Sequence, residues 1–245
     1  MSGQSIHIER LQVWRDDDSS RQCVIDELSL DIAPGERVAV AGPNGAGKTS
    51  LLLAMVGALP FSGTIAVGGQ VLEAKSLEAV RREVGYVFAD PADQLFLPTV
   101  REEVGFGPRQ RGVFGEPLAA RVDAALDAVG LRGFEERSPL ALSLGEQRRL
   151  AAATVLSSAP GALLFDEPTA SLDPRARRAM LDTLRALDAT LLLATHDLDA
   201  VLDLDARVVL LDAGRLIAEG PAAELLRDEA LLEQAGMALP LGLQR

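Results

Sequence analysis

The chain has 245 residues, of which 48% are hydrophobic and 24% charged, and its formal net charge is −12. This composition supports one globular domain with a buried core and excludes a disordered chain. The acidic excess argues against a general nucleic-acid-binding protein, which needs Lys and Arg to neutralise phosphates, so we expect no nucleic-acid partner.

The cysteine content and hydropathy set further limits. The single cysteine, Cys23, cannot form an internal disulfide, which suits a reducing compartment, and we expect it to be a buried apolar thiol. The N-terminus shows no apolar core of a signal peptide, and no apolar run approaches the roughly 18 residues of a spanning helix. We therefore expect a soluble protein, or one held at a membrane through a partner.

Alternating apolar and polar residues predict strands near the N-terminus. Residues 6–13 and 28–32 follow this pattern, which is typical of strands with one buried face, and residues 16–20 form a polar turn between them. Another short strand is predicted at 64–67, and Gly68 and Gly69 turn the chain back after it. These segments predict an antiparallel sheet beside the nucleotide that the next motif indicates.

A glycine-rich stretch between these strands fits the pattern G-x-x-x-x-G-K-[ST] of a phosphate-binding loop. It lies between a predicted buried strand, 38–41, and a predicted helix, so the backbone N–H groups and the helix N-terminus form a nest for a triphosphate. We expect Lys48 to reach the β- and γ-phosphates and the Thr49 hydroxyl to ligate Mg²⁺. The predicted ATP-binding residues of the loop are Gly42, Pro43, Asn44, Gly45, Ala46, Gly47, Lys48, Thr49 and Ser50.

The middle of the chain changes to a helical pattern. Residues 97–160 carry apolar residues at helical spacing, and they separate two strand-rich regions, so we predict an inserted α-helical subdomain at about 97–160. Within it, Ser143 is expected to cap a helix whose free N–H groups make a second anion site.

Two carboxylates follow the next buried strand. Residues 162–165 are apolar and lead into Asp166 and Glu167, which places both acids at the carboxyl edge of a sheet, where ligands bind. We expect Asp166 to hold Mg²⁺ and Glu167 to accept a proton from the attacking water. The following strand, 191–195, ends at His196, which we expect to point at the γ-phosphate.

The C-terminal part of the chain is predicted to close the domain. Residues 207–211 and 216–218 form a hairpin around a turn at 212–214, and residues 222–237 are expected to form a helix. The tail that follows is predicted to be irregular.

These motifs, taken in order, strongly resemble the nucleotide-binding subunit of ABC transporters over nearly the whole chain. The resemblance rests on residues 42–49, 142–146, 162–167, 171–173 and 195–197. The fold class expected is α/β: a P-loop NTPase with a RecA-like core, an N-terminal antiparallel β-subdomain and an inserted α-helical subdomain. Residues 1–245 would form one ABC-type ATP-binding domain, with a C-terminal helix and tail from about 222 to 245.

The resemblance also implies a mechanism. In that family two domains face head to tail, and each ATP lies between the phosphate loop of one and the signature helix of the other. Ser143, Gly145 and Glu146 would therefore contact ATP in the partner's site, Asp173 would link the two sites, and His196 would hold water and phosphate. Hydrolysis then opens the dimer and drives a membrane partner.

The implied partners are a second ATPase subunit, either an identical or a related chain, and a transmembrane coupling subunit. The implied location is the cytoplasmic face of the cell membrane, with membrane contact through the partner only. A narrower resemblance, in residues 84–108, is to the ATPases of energy-coupling-factor importers, which take up cobalt, nickel or vitamins. In that group this stretch borders the groove that receives helices of the coupling subunit.

The sequence departs from the family pattern at three places. Ala89 replaces a glutamine that ligates Mg²⁺, which predicts slowed hydrolysis or altered coupling, and Leu144 replaces a glycine of the signature, where it could crowd the partner's nucleotide. The aromatic residue expected to stack on adenine falls at Arg15, with Trp14 one place earlier. Because neighbouring strand residues point to opposite faces, only one of the two can stack, and the sequence leaves both open.

We interpret the chain as an ATP-hydrolysing subunit of an importer, with ATP and Mg²⁺ as its ligands. One alternative is an ABC-type ATPase of a soluble assembly. A second is a regulatory module that binds ATP and hydrolyses it weakly, which Ala89 and Leu144 favour and which Glu167 and His196 oppose.

Overall fold

The computed structural model describes residues 3–17 and 20–244. The chain divides into two compact units. The first contains the residues up to 86, residues 161–167 and the residues from 188 onward, and the second contains residues 87–160 and 168–187.

The strands and helices alternate along most of the chain. The strands are β1 (Ile6–Asp17), β2 (Ser20–Ile32), β3 (Arg37–Ala41), β4 (Phe61–Val67), β5 (Gln70–Val71), β6 (Val84–Val87), β7 (Ala162–Asp166), β8 (Thr190–Thr195), β9 (Arg207–Asp212) and β10 (Arg215–Pro221). The helices are α1 (Lys48–Met55), α2 (Leu77–Glu83), α3 (Val100–Gln110), α4 (Gly115–Ala128), α5 (Leu144–Leu156), α6 (Pro174–Ala186), α7 (Leu198–Asp203), α8 (Ala222–Leu225) and α9 (Glu229–Gln234).

The N-terminal strands form the expected antiparallel sheet, in the order β2-β1-β4-β5. Strand β1 pairs on both sides, so that Ile6 lies opposite Ile32 of β2 and Val67 of β4. The alternation predicted from the sequence places Ile6, Ile8, Leu11 and Val13 in the core, each at most 1% exposed. The first 71 residues of the chain therefore contribute a sheet with one face buried in the core.

The second sheet positions the site. Its order is β10-β9-β3-β8-β7-β6, and β3 pairs in parallel with β8 and β9 while β7 pairs in parallel with β8. Its central strands are apolar without alternation, as expected for parallel strands that are covered on both faces. Because parallel strands end at the same edge, the segments that follow β3, β7 and β8 are brought together.

The second unit is helical apart from its turns. Helix α5 contacts α3, α4 and α6, and Val104, Leu126 and Leu150 are fully buried between these helices. The Ser157 hydroxyl, at the end of α5, donates to the Val104 carbonyl of α3 at 2.7 Å.

The structure differs from the sequence-based expectations at two places. Cys23 is exposed, so the prediction of a buried thiol was wrong: the residue lies on the outer part of the β1–β2 hairpin, and its Sγ donates to the Ile25 carbonyl. The predicted helix at 222–237 is two short helices, because Asp228 caps a new one through the Leu231 N–H. Of the predicted turn at 16–20, Asp18 and Ser19 lie outside the described residues.

Within residues 3–17 and 20–244, no helix is both long enough and apolar enough to span a bilayer.

Candidate active site

The phosphate loop joins β3 to α1 and requires glycine at its two ends. Gly47, the residue before α1, has φ +102°, and a Cβ there would lie 2.6 Å from the Val24 carbonyl oxygen. A Cβ on Gly42 would lie 2.3 Å from the Leu211 carbonyl oxygen. The backbone of the loop therefore approaches β2 and β9 more closely than any side chain would permit.

Lys48 is folded back over this loop. It is 6% exposed, and its Nζ donates to the carbonyls of Gly42 at 2.7 Å and Pro43 at 3.0 Å. Burial lowers the pKa of Lys48, and the neighbouring carboxylates of Glu167 and Asp166 oppose that shift. The Nζ lies 3.7 Å from Glu167 Oε1, so the cation and the predicted catalytic carboxylate already face each other.

The other loop residues surround the same space. Ala46 is 2% exposed, and its N–H donates to the Pro43 carbonyl at 3.2 Å, which closes the turn. The residues that line a cavity of about 480 Å³ are Asn44, Gly45, Gly47, Lys48, Thr49, Ser50 and Glu167, together with Arg15, Gln22 and Val24. A second cavity of about 470 Å³ is lined by Pro43, Asn44, His196, Asp197 and residues of the C-terminal tail.

Asp166 and Thr49 meet at the end of β7. Asp166 is 3% exposed, and its Oδ1 accepts a hydrogen bond from the Thr49 hydroxyl at 3.1 Å. Its Oδ2 accepts from the Tyr86 hydroxyl at 3.2 Å. Burial raises the pKa of Asp166, and the hydrogen bonds from Thr49 and Tyr86 act in the opposite direction. A buried carboxylate beside a hydroxyl oxygen suits a hard cation, because the charge of the cation offsets the free-energy cost of burying the ionised carboxylate.

Glu167 follows Asp166 in a strained backbone conformation. Its φ is +47°, in the left-handed region that costs a non-glycine residue about 1–2 kcal/mol. Its N–H donates to the Ala194 carbonyl at 2.8 Å, which ties this residue to β8. Strain of this kind persists where surrounding contacts fix it, and here it aims the carboxylate away from the strand.

The Glu167 carboxylate is held from the next strand. Its Oε2 lies 2.9 Å from His196 Nδ1 and accepts from the Thr195 hydroxyl at 3.3 Å. The His196 N–H also reaches Oε2, at 3.4 Å. Glu167 is 17% exposed and His196 is 53% exposed, so the pair combines a largely enclosed carboxylate with an accessible imidazole.

Arg15 and Trp14 lie on opposite faces of β1. Arg15 is paired with Gln22 across the hairpin, and both line the 480 Å³ cavity. Trp14 is paired with Cys23, and its ring is covered by the Arg21 guanidinium at 4.8 Å from the ring centroid. The structure therefore places Arg15, rather than Trp14, in the wall of the cavity that contains the phosphate loop.

The signature residues lie in the second unit, at the start of α5. The Ser143 hydroxyl accepts from the Glu146 N–H, while the Glu146 carboxylate accepts from the Ser143 N–H at 2.8 Å and its hydroxyl at 2.7 Å. This capping box lowers the pKa of Glu146 through the hydrogen bonds from Ser143. It confirms that Ser143 caps the helix.

Gly145, Leu144 and Asp173 also have local roles in that unit. A Cβ on Gly145 would lie 2.6 Å from the Ala176 Cβ, so the glycine permits α5 to approach α6. Leu144 is 41% exposed, which leaves its side chain available to crowd a partner. Asp173 caps α6 by accepting from the N–H groups of Arg175 and Ala176, both at 2.9 Å.

The polar side chains of the segment after β6 form hydrogen bonds within the second unit. Asp90 accepts from the Ala92 N–H at 2.9 Å and caps a short 3₁₀ turn, Pro91–Asp93. Gln94 accepts from the Phe88 N–H at 3.1 Å and donates to the Ala151 carbonyl and the Thr154 hydroxyl, both at 2.8 Å. Ala89 lies within this turn-forming segment and contributes only a methyl group.

Sequence reasoning assigned no role to Thr195 or Tyr86. The available signal for Thr195 was its position directly before His196, since the side chains of neighbouring strand residues point to opposite faces. Tyr86 carried no signal, because its contact depends on β6 lying beside β7, and strand order is not visible in the sequence.

Comparisons with known proteins identify similar sequences and folds. A family model described as "ABC transporter" matches residues 25–170. A Streptomyces coelicolor protein, provisionally named an ABC transporter ATP-binding protein, is 49% identical over 212 residues, which is 86% of this chain and 82% of the relative. The energy-coupling factor transporter ATP-binding protein EcfA of Methanothermobacter thermautotrophicus is 40% identical over 219 residues, which is 87% of this chain and 70% of the relative.

Solved structures confirm the predicted fold class. The structure of cbiO1 from Clostridium perfringens, described as part of the ABC transporter complex cbiONQ, has a TM-score of 0.81 at 30% identity, covering 94% of this chain and 93% of that chain. The dimeric ATP-binding cassette MJ0796 bound to ADP and Pi has a TM-score of 0.79 at 25% identity, covering 89% of this chain and 98% of that chain.

Proposed function

Because the chain belongs to the ABC transporter family of ATP-binding proteins, we propose that it is the ATP-hydrolysing subunit of an importer of the energy-coupling-factor kind. The observation that carries the proposal is the convergence of Lys48, Thr49, Asp166, Glu167 and His196 at one edge of the parallel sheet. This arrangement combines a phosphate nest, a cation, a hard-oxygen pair and a held carboxylate at one edge of the sheet.

ATP binds with its phosphates in the loop. Lys48 exchanges the carbonyls of Gly42 and Pro43, which it contacts without ligand, for the more negatively charged phosphate oxygens. The N–H groups at the start of α1 and the partial positive charge of the helix add to the attraction. The backbone conformation of the loop, with Gly42 and Gly47 packed closely against β9 and β2, suits this binding mode.

Glu167 acts as the general base. A water molecule attacks the γ-phosphorus, its proton passes to a Glu167 oxygen, and the bond to the bridging oxygen breaks to release ADP and phosphate. His196 Nδ1 lies 2.9 Å from Oε2 and donates to it when this nitrogen carries a proton, and Oε1, 3.7 Å from Lys48 Nζ, is the oxygen that accepts the proton from water. Thr195 holds the same Oε2, so the carboxylate keeps one orientation.

Asp166 and Thr49 fit a Mg²⁺ ion. Mg²⁺ commonly uses one or two protein ligands together with substrate phosphates and water, and the two oxygens here meet at 3.1 Å beside the loop. When bound, the ion would neutralise charge that develops on the phosphate oxygens. We propose that the phosphates of the substrate would complete the ligand shell of this site.

A second ATPase subunit completes each site. ABC ATPases work as dimers with transmembrane subunits, and we propose that Ser143, Gly145 and Glu146 of one subunit contact the ATP of the other, with Asp173 between the two sites. The capping box satisfies only part of the N–H groups at the start of α5, and the others remain for an anion. This chain or a related one can supply that surface.

Exposed aromatic side chains support the coupling-factor assignment. Phe96 is 67% exposed and Phe106 is 39% exposed, and their rings meet edge to face at 5.3 Å. The buried Glu103 carboxylate accepts from the Phe96 and Leu97 N–H groups, which fixes this pair on the surface. We propose that this surface receives helices of the transmembrane coupling subunit, which keeps the chain at the cytoplasmic face of the membrane.

Reconstitution tests this function. The chain is purified with candidate transmembrane coupling subunits from the same genome, placed in proteoliposomes, and assayed for ATP-dependent uptake of labelled Co²⁺, Ni²⁺ or vitamins. We expect uptake that Glu167→Gln abolishes and Phe96→Ala weakens by loss of complex, while Phe114→Ala, which is equally exposed outside residues 84–108, retains it. A stable complex that hydrolyses ATP without importing any of these substrates would contradict the importer assignment.

A further inference from the structure

Both carboxylate oxygens of Asp166 are held by hydroxyl groups. Oδ1 accepts from Thr49 of the phosphate loop at 3.1 Å, and Oδ2 accepts from Tyr86 at 3.2 Å. The carboxylate is 3% exposed, so water is largely excluded from competing for these oxygens. Two hydrogen bonds from opposite sides fix the rotation of the carboxylate about its last bond.

The fold explains why Tyr86 reaches this carboxylate. Strand β6 is the neighbour of β7 in the parallel sheet, and Tyr86 is the penultimate residue of β6 while Asp166 is the last residue of β7. The Tyr86 ring packs against the hydrophobic core, which restricts its rotamer. The phenol oxygen is thus presented to the carboxyl edge by a packed, rigid ring.

We propose that Tyr86 is a positioning residue for the Mg²⁺ site: its hydroxyl fixes the Asp166 carboxylate in the orientation that binds the metal with Thr49. This inference rests on the proposed Mg²⁺ site. A carboxylate has more acceptor positions than these two hydrogen bonds use, so both can persist while the metal or a metal-bound water contacts the remaining ones. Without the Tyr86 hydroxyl, a buried carboxylate oxygen loses its partner and the group is free to rotate.

The residue at position 89 makes the contact between Tyr86 and Asp166 more important for the proposed metal site. The resemblance to the ABC family places a metal-ligating glutamine there, and this chain has Ala89. With one side-chain ligand fewer, metal binding depends more strongly on the orientation of the Asp166 carboxylate. Outer partners that orient a ligand typically change metal affinity about 10–100-fold when removed.

The first test measures how much Mg²⁺ tightens ATP binding. Affinity for ATP is determined with EDTA and with saturating Mg²⁺ for the native chain, Tyr86→Phe and Asp166→Asn, and the ratio of the two affinities is the coupling factor. We expect Tyr86→Phe to reduce this factor about tenfold and to leave the affinity in EDTA unchanged. Asp166→Asn should reduce the factor at least as much.

The two variants separate the inference from the function on which it rests. If Asp166→Asn lowers the coupling factor and Tyr86→Phe does not, Tyr86 has no positioning role while the metal site stands. If neither variant changes the factor, the metal site itself is wrong and the inference falls with it. A loss of ATP affinity in EDTA for Tyr86→Phe, with the coupling factor unchanged, would overturn the proposal, because the hydroxyl would then support ATP binding without acting on the metal.

A second measurement uses the native chain, so it does not depend on how a variant folds. The chain contains one tyrosine, so a protein labelled with ¹³C at the tyrosine Cζ gives a single resonance that needs no assignment. We expect this resonance to move when ATP is added with Mg²⁺, and not when ATP is added with EDTA. An identical spectrum in both conditions would overturn the proposal.

Discussion

The two ends of the nucleotide cavity are built differently. At the phosphate end, Lys48 and Asp166 are at most 6% exposed, and they contact Glu167, Thr49 or the loop backbone before any ligand binds. At the other end, Arg15 and Gln22 are exposed residues of the β1–β2 hairpin. We therefore expect affinity and chemistry to depend mainly on the buried phosphate end, and recognition of the base to depend on a few solvent-exposed side chains.

The largest expected effect follows from removing the phosphate-end cation. Lys48→Ala deletes a buried ammonium that we expect to contact the β- and γ-phosphates, and charge-assisted hydrogen bonds contribute about 1.5–3 kcal/mol each. We expect ATP affinity to fall about a hundredfold or more in a calorimetric titration. Lys75→Ala, which changes a lysine that is 81% exposed, is the matched control. If Lys48→Ala bound ATP within about threefold of the native chain, the phosphate end would not be organised around this residue.

His196→Ala tests whether ATP binding and ATP cleavage depend on different residues at the phosphate end of the cavity. His196→Ala removes the Nδ1 contact at 2.9 Å that orients Glu167, so the rate of phosphate release should fall about 100-fold, with less change in ATP affinity. His7→Ala is the control, since His7 pairs with Asp31 on the surface. Equal losses of affinity and rate would assign His196 to binding rather than to catalysis.

At the end of the cavity expected to bind the base, we expect smaller effects on ATP affinity, which should differ between the neighbouring residues Arg15 and Trp14. Arg15→Ala removes a guanidinium from the cavity wall and should weaken ATP binding about two- to fivefold, as expected for an exposed stacking or cation–π contact. Trp14→Ala should change the affinity less, because its ring faces Arg21 on the other side of β1. A larger loss for Trp14→Ala would mean that the aromatic ring, not Arg15, contacts the base.

The smallest effect concerns the capping box of the second unit. Because the hydrogen bonds from Ser143 lower the pKa of Glu146, the stability that its charged form contributes is present above the unfolded pKa of about 4.3 and is lost as the pH falls through the folded value. Glu146→Gln should lower the free energy of unfolding by about 1 kcal/mol or less at about pH 7. The difference from the native chain should shrink as the solution is acidified and vanish once Glu146 is protonated in both states. If the difference in the free energy of unfolding persisted in that acidic range, the effect of Glu146→Gln would not come from the charge of Glu146.

The same contrast explains which features the sequence could predict. The phosphate loop is a contiguous pattern, and the carboxylates of Asp166 and Glu167 directly follow an apolar strand, so the sequence alone predicts the position of both. The face of Arg15 was not predictable, because β1 has register shifts between Ile8 and Leu11, between Leu11 and Val13, and again before Trp14. Each bulge reverses the alternation on which a sequence argument depends.

Contacts across strands were also beyond the sequence. The hydrogen bond from Tyr86 to Asp166 joins residues 80 positions apart and requires the order of the sheet. The exposure of Cys23 follows from the length of the β1–β2 hairpin, whose outer residues extend past the core. The break at 226–228 in the C-terminal helix depends on a single Asp228 cap, which periodicity does not reveal.

We propose that Glu167 is the general base for ATP hydrolysis. This role is tested by comparing phosphate release and ATP binding for the native chain and Glu167→Gln, each with Mg²⁺. We expect the native chain to release phosphate, and Glu167→Gln to bind ATP as tightly but to release phosphate at least about 100-fold more slowly. Unchanged release by Glu167→Gln would contradict the assignment of the base, and tight binding without release by the native chain would favour a regulatory ATP-binding module instead.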